Sequence, residues 1–284
     1  MVGDEGDPGG TAARLTTAGR RPAAGPAGPG ADVRAAYDAA AGLWAAGPEP
    51  VYAALAAALL ASADVPLAGR RVLDVGAGTG VAARAALAAG AARVAAADLA
   101  VGMLRRAGSP LGRVAADATA LPFRAASFDL VVAAFCLNHL ASVPAGLAEA
   151  RRVGRAIAAS TFTPGWTHPA KAAVDAALHT FGYRPPAWYT TFKQDSEPTA
   201  SDPGRLGEQA AAAGFAAVRL RAVTVPTGLS TPAQLAAWRL GMAQVAPFVR
   251  SLDEPRRAAL RRAAERSLAG APPLVVSMTV LTAS

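Results

Sequence analysis

The stretch Asp74-Val75-Gly76-Ala77-Gly78-Thr79-Gly80 constrains this chain more than any other. The short apolar run Val72–Val75, interrupted by Asp74, leads into three alternate glycines, and the helix-compatible segment Val81–Leu87 follows. A strand, a tight glycine turn and a helix in that order open a βαβ unit. Glycine lacks a Cβ and tolerates positive φ, so such a turn lets backbone come close to a ligand. The first N–H groups of the following helix have no intrahelical partner and offer a site for an anionic group. A ligand carrying a carboxylate or phosphate and a ribose is expected here.

Glycine spacing narrows the choice. A dinucleotide fingerprint G-x-G-x-x-G starting at Gly76 and Gly78 needs its third glycine at position 81. That position holds Val81, and the third glycine is Gly80, which disfavours a nicotinamide oxidoreductase. Asp74, two places before the first glycine, can accept from a cationic amine. The pattern Asp74-x-Gly76-x-Gly78-x-Gly80 resembles motif I of the class I S-adenosylmethionine-dependent methyltransferases, and Ala77 falls inside it.

Three later segments support that resemblance. Ala92–Ala97 reads as a second strand ending at Asp98, whose carboxylate can grip both hydroxyls of a ribose. Leu99-Ala-Val-Gly-Met103-Leu104 then resembles the family's motif II, with Ala100 where a serine is usual. A helix cap is lost there, and Asp98 is expected to substitute in part. Asp117-Ala118 before Leu121-Pro122-Phe123 resembles the third signature. By that resemblance the Asp117 carboxylate accepts from an adenine amine and the Ala118 N–H donates to a ring nitrogen. Ser127–Val132 enters a fourth strand, and Phe135-Cys-Leu-Asn-His139-Leu140 follows it. Each segment alone is a common pattern, whereas four in the family's order from Val72 to Leu140 carry the assignment. The expected relatives are the type 11 methyltransferases, which resemble the quinone-biosynthesis and natural-product tailoring enzymes.

The resemblance implies an α/β, Rossmann-like fold. Its seven-stranded mixed sheet has the order 3-2-1-4-5-7-6, flanked by helices and with helical cap insertions. Residues 1–30 are rich in Gly, Ala and Pro and are expected to form a disordered tail, leaving 31–284 as the methyltransferase domain. Val33–Trp44 reads as a helix stopped by Gly47-Pro48-Glu49-Pro50, and Val51–Ser62 as a second, so 31–63 is an N-terminal helix pair. In the family a Tyr-Asp at such a position lies over the cofactor, which makes Tyr37 a candidate for closing the site. The family's turn before strand five is shortened here by about four or five residues, within natural connection lengths. The helix Ala145–Val153 is followed by Gly154-Arg155 and a strand over Ala156–Phe162.

Seven of the chain's sixteen aromatic residues fall between Phe162 and Phe192, a concentration that suits an apolar acceptor pocket. A charged loop is expected over Lys193–Pro203 and a helix over Arg205–Ala213. Strand six is expected over Gly214–Val225, helices over Thr231–Val245 and Asp253–Leu268, and a last strand over Pro273–Leu281. Residues 163–200 and 230–270 are the expected cap elements, which would bring Trp238 and Met242 near the acceptor.

The net charge of +8 and pI near 10.7 raise nucleic acid or a membrane surface as partners. Lysine occurs only at Lys171 and Lys193, however, and the arginines are scattered in pairs, which suits solvated helix faces. Enzymes that methylate base amino groups carry Asn/Asp-Pro-Pro-aromatic after strand four, and this chain has Phe135-Cys-Leu-Asn-His139 there. No nucleic-acid or membrane partner is therefore expected, and the longest apolar run, Val51–Ala63, is too short to span a bilayer. The single cysteine, Cys136, reads as a buried thiol. Together with an N-terminus lacking an apolar signal segment, it fits a cytoplasmic protein. The three histidines lack metal-ligand spacing.

The expected reaction moves the methyl of S-adenosyl-L-methionine to a small-molecule acceptor by in-line displacement. His139 and His168 are the candidate general bases, placed near the expected methyl. An RNA-directed methyltransferase and a cofactor-binding protein without transfer activity stay open beside that reading.

Overall fold

The computed structural model describes residues 29–284, with side chains from residue 32 onward. The tail expected over residues 1–30 therefore lies outside the described residues, except for its last two, which begin a helix.

Seven strands form one sheet: β1 (Arg71–Val75), β2 (Arg93–Asp98), β3 (Gly112–Ala115), β4 (Phe128–Ala134), β5 (Gly154–Phe162), β6 (Arg219–Pro226) and β7 (Val275–Ala283). Their order is β3-β2-β1-β4-β5-β7-β6, as the family resemblance implied. The first five pair in parallel, while β7 runs antiparallel between β5 and β6. Helices α1 (Pro29–Ala46) and α2 (Glu49–Ala61) precede β1. Within the parallel half, α3 (Val81–Ala88), α4 (Val101–Leu104) and α5 (Val143–Val153) make the crossovers. Between β5 and β6 lie α6 (Pro169–Thr180), α7 (Ala187–Thr191), α8 (Glu197–Ser201) and α9 (Pro203–Ala212). Then α10 (Pro232–Leu240), α11 (Ala246–Ser251) and α12 (Glu254–Ser267) lead to β7.

Successive strand side chains point to opposite faces, so a strand covered on both sides must be apolar throughout. In β4, Leu130 and Val132 join one core while Val131 and Ala133 join the other. In β5, Ala156 and Ala158 divide from Ile157 and Ala159 in the same way. One core is closed by α2, α3, α6, α10 and α12, the other by α5 and α9.

The shortened connection before strand five is resolved by removing the turn altogether. Helix α5 ends at Val153 and β5 begins at Gly154, two residues earlier than expected. Gly154 donates its N–H to Ala150 O as the helix cap and pairs with Phe128 as the first strand residue. Its φ of −128° is ordinary, so the glycine is required by space. A Cβ there would lie 2.4 Å from Val131 Cγ2.

Strand six, expected from Gly214, begins only at Arg219, and two further expectations are corrected. The segment after Phe192 is not a loop: a π-helical turn over Phe192–Ser196 runs into α8. Lys193 pairs with Glu197 one turn on, and Pro198 falls in the first turn of α8, where its missing N–H costs nothing. The helix expected over Thr231–Val245 stops at Leu240, and α11 follows as a separate helix. At that break Gly241 packs under the α1–α2 corner, where a Cβ would come within 2.5 Å of Pro48 Cδ. No single helix among the described residues is long and apolar enough to cross a membrane, and the apolar α1–α2 pair is bent by 90°.

Candidate active site

A cavity of about 660 Å³ opens at the C-terminal ends of β1, β2, β4 and β5. Strand β1 is flanked there by β2 on one side and β4 on the other, the switch point at which open α/β sheets bind ligands. The floor is the glycine turn. Gly76, Gly78 and Gly80 adopt φ of 67°, 54° and 81°, a region that a side chain disfavours. A Cβ on Gly76 would lie 2.5 Å from Cys136 Sγ, so the turn also seats directly on the end of β4. Cys136 is buried there, and burial pushes its thiol pKa up, as expected for an inert thiol.

Asp98 ends β2 with both carboxylate oxygens engaged by backbone. Gly78 N–H donates to Oδ2 and Ala100 N–H to Oδ1, each at 2.7 Å. These bonds fix the carboxylate at the cavity wall and leave further lone pairs on each oxygen. Asp98 thus substitutes in part for the cap lost at Ala100, and a second carboxylate completes the job. Asp38 on α1 accepts from Gly102 N–H at 2.6 Å.

Asp74 is 1 % exposed and lines the same cavity. Its Oδ2 accepts from Ala83 N–H at 2.9 Å, so one of the free N–H groups at the start of α3 is already used by the protein's own carboxylate. Desolvation outweighs that bond and raises the Asp74 pKa to about 7. A cation brought beside it would restore the charge.

Tyr37 and His139 meet over the opening. The Tyr37 hydroxyl lies 3.2 Å from His139 Nε2, with the rings edge to face at 5.6 Å. His139 also stacks on Phe192 at 4.6 Å, and its Nδ1 is buried without a partner. Burial lowers its pKa to about 4, so the ring is neutral at physiological pH, and Nε2 and the Tyr37 hydroxyl share one hydrogen bond. Burial likewise raises the Tyr37 pKa well above its ordinary value.

Of the residues singled out from sequence, Tyr37, Asp74, Gly76, Ala77, Gly78, Asp98, Leu99, Met103, Ala118, Phe135 and His139 line the cavity. Three do not. Gly80 lies behind the turn as the left-handed cap of α3, where a Cβ would meet Ala107 at 2.9 Å. Asp117 is exposed, and its Oδ1 accepts from both the N–H and the hydroxyl of Thr119 at 2.8 Å, turning the carboxylate into a local loop brace. His168 caps α6: Nδ1 accepts from Ala170 N–H at 3.2 Å, and Nε2 faces Pro273 O at 3.3 Å. Both of its nitrogens are engaged in structure, which removes it as a candidate base.

Phe135 sits at the C-terminal end of β4 with φ of 53°. A left-handed aromatic residue is strained by about 1 kcal/mol or more, and such strain collects at functional sites. It turns the ring towards Tyr52 at 5.5 Å and Phe162 at 4.6 Å. Sequence reasoning missed Trp44 and Tyr52, whose rings stack at 4.8 Å beside Tyr37, because helical spacing gives core and cavity aromatics the same pattern. It also missed Lys171 and the buried Arg239, both on the cavity wall.

Several residues around the cavity carry a sealed polar atom without a partner. Eight buried side-chain polar atoms among the described residues lack a partner, and five of them belong to cavity residues: Thr79, Asn138, His139, Ser201 and Gln244. A glycine floor, a fixed carboxylate at the end of β2 and the buried Asp74 suit a nucleoside bearing an amino-acid chain.

Comparison with known proteins points the same way. The family model described as a methyltransferase domain matches residues 73–156. The chain is 40 % identical over 120 residues to a demethylmenaquinone methyltransferase of Beutenbergia cavernae, covering 40 % of this chain and 49 % of that one. It is 33 % identical over 168 residues to the demethylmenaquinone methyltransferase of Mycolicibacterium paratuberculosis, covering 55 % and 72 %. The chain spans about half the length of several curated methyltransferases it matches, one of them a malonyl-[acyl-carrier protein] O-methyltransferase of Geobacter sulfurreducens. Among solved structures, a protein assigned as an antibiotic-biosynthesis methyltransferase of Anabaena variabilis superposes with a TM-score of 0.56 at 14 % identity, covering 79 % of this chain and 95 % of that one, a likeness of fold alone.

Proposed function

This chain belongs to the class I S-adenosylmethionine-dependent methyltransferases, and we propose that it transfers a methyl group from that cofactor to a small-molecule acceptor, a natural product or quinone-like metabolite. The positive-φ glycine turn on the cavity floor, with the Asp98 carboxylate fixed beside it at the end of β2, carries the reading. The demethylmenaquinone methyltransferases among its relatives support the acceptor class.

S-Adenosylmethionine supplies a methyl already activated on a sulfonium, so the protein's task is alignment and exclusion of water. Gly76, Ala77 and Gly78 bring backbone against the amino-acid end, and Asp74 lies where it can balance an ammonium group. Asp98 holds the ribose through lone pairs left free by its two backbone bonds. Leu99, 42 % exposed although it lines the cavity, offers an apolar face that a planar base would cover, with Met103 beneath and the Ala118 N–H at the rim. Trp44, Tyr52 and Phe135 wall the interior.

An acceptor hydroxyl must also lose its proton. With Nε2 committed to Tyr37, His139 reaches an acceptor through the tyrosine: the Tyr37 oxygen takes the acceptor proton as its own moves to Nε2. The single buried thiol suits a reducing, cytoplasmic setting.

The test incubates the protein with methyl-labelled S-adenosylmethionine, a demethylmenaquinone, and a panel of phenols, carboxylic acids and amines. Label in one acceptor with matching S-adenosylhomocysteine is expected. Cofactor binding with no labelled acceptor would instead make the chain a binding protein.

A further inference from the structure

The chain draws its positive charge from arginine almost throughout, yet both of its lysines line this one cavity. Lys193 is neutralised by Glu197. Arg239, 5 % exposed, is neutralised by Asp175 in a two-point pair, with both bonds at 2.8 Å. Lys171 differs. Among the described residues no carboxylate lies within salt-bridge distance of its ammonium. It rests instead 5.0 Å over the Trp166 ring. Trp166 stacks on Phe162 at 4.9 Å and 7°, and Phe162 meets Phe135 at 4.6 Å. The ammonium therefore stands at one end of an aromatic row whose other end, Phe135, meets Tyr52 and through it and Trp44 the Tyr37–His139 pair.

A half-buried cation without a counter-ion is costly, and an aromatic face offsets that cost only in part. The positive charges of Arg239 and Lys193 add to it: with burial, they lower the Lys171 pKa to about 8, against the opposing pull of Glu197 and Asp175. The amine stays mostly protonated at neutral pH, and its charge has no carboxylate partner among the described residues.

We propose that Lys171 is the counter-ion for an anionic oxygen on the methyl acceptor. The acceptor class is then a planar, largely apolar molecule bearing one carboxylate or ionised hydroxyl, lying along the Phe135–Phe162–Trp166 row with that oxygen at the ammonium. This rests on the reading of the cavity as a methyl-transfer site and adds the charge of the substrate to it. An arginine would hold a charge there too, but a lysine presents a compact point charge to a single oxygen.

The experiment uses the full chain saturated with S-adenosylhomocysteine and two isosteric probes, 2-naphthoate and 2-naphthamide, titrated by calorimetry. Wild type should bind naphthoate about tenfold or more tightly than naphthamide, the factor a charge-assisted hydrogen bond supports. Lys171→Met should erase the preference, and Lys171→Arg should retain much of it. Amine acetylation mapped by mass on wild type gives a second readout: naphthoate, and not naphthamide, should slow labelling at Lys171. Equal binding of the two probes, binding of neither, or a preference that persists in Lys171→Met would overturn the proposal. S-Adenosylhomocysteine titrated alone reports separately on the methyltransferase reading, so the two failures are told apart.

Discussion

Asp38 and Gly102 lie 64 residues apart in sequence and are joined by a 2.6 Å hydrogen bond from the Gly102 N–H to Asp38 Oδ1. This bond ties the N-terminal helix to the first turn of α4, beside the Leu99–Met103 segment that lines the cavity. The approach needs glycine for room: a Cβ at 102 would lie 2.9 Å from Asp38 Oδ1 and 3.2 Å from its Cα and O. Asp38→Ala should cost about 1–2 kcal/mol of stability, the value of a helix cap and a charged hydrogen bond. It should also weaken S-adenosylhomocysteine binding, while Asp38→Asn loses less on both counts. Urea unfolding and calorimetric titration of the two variants check this.

Burial holds the folded pKa of His139 at about 4, below its ordinary 6.5. Between those values the unfolded chain binds the extra proton, so stability contributed above pH 6.5 is lost as the pH falls towards 4. Wild type should lose up to about 2 kcal/mol more than His139→Gln between pH 7 and pH 5. Parallel pH profiles for the two proteins in urea unfolding would show that the ring is not sealed as described.

Asp74 has the opposite sign. Its folded pKa of about 7 lies above the ordinary 3.8. Its contribution is fully present below pH 3.8 and is lost as the pH rises through 7. An ammonium group beside it stabilises the ionised form, so S-adenosylhomocysteine should bind more tightly as the pH rises from 5.5 to 7.5 and release up to one proton near pH 6. Calorimetry in buffers of differing ionisation enthalpy counts that proton. Asp74→Asn should bind weakly and without the pH dependence.

At the direct join of α5 to β5, Gly154→Ala drives a methyl into Val131, whose Cγ2 lies 2.4 Å from the new Cβ. Overpacking of this kind costs about 1–3 kcal/mol. Val131→Ala on the same background should recover part of the loss, a coupling that a double-mutant cycle in urea reads directly. Full additivity would mean that the backbone yields instead of the side chain.

The sheet order followed from the family resemblance, while the cavity floor was legible because local rules and the fold agree there. Glycines with positive φ, an apolar run and a carboxylate at the end of the neighbouring strand all leave their mark in the sequence. Tertiary roles were not legible. His168 and Asp117 satisfy neighbouring backbone, and only the structure shows that both His168 nitrogens and Asp117 Oδ1 are engaged there. Lys171 gave no signal at all, since its isolation from carboxylates depends on how Asp175 and Glu197 pair with other cations. The helical turns after Phe192 were hidden behind a polar, proline-containing stretch whose i to i+4 ion pair outweighed its loop-like composition.

The most direct measurement of the central claim is calorimetric titration of S-adenosylhomocysteine, with NAD as control, into wild type and Asp98→Ala. Wild type should bind S-adenosylhomocysteine and not NAD. The variant, with its melting temperature recorded alongside, should bind about 1–3 kcal/mol more weakly, the loss of a charged hydrogen-bond partner. NAD binding to wild type, or no S-adenosylhomocysteine binding to folded wild type, would contradict the claim that this cavity is a methyl-transfer site.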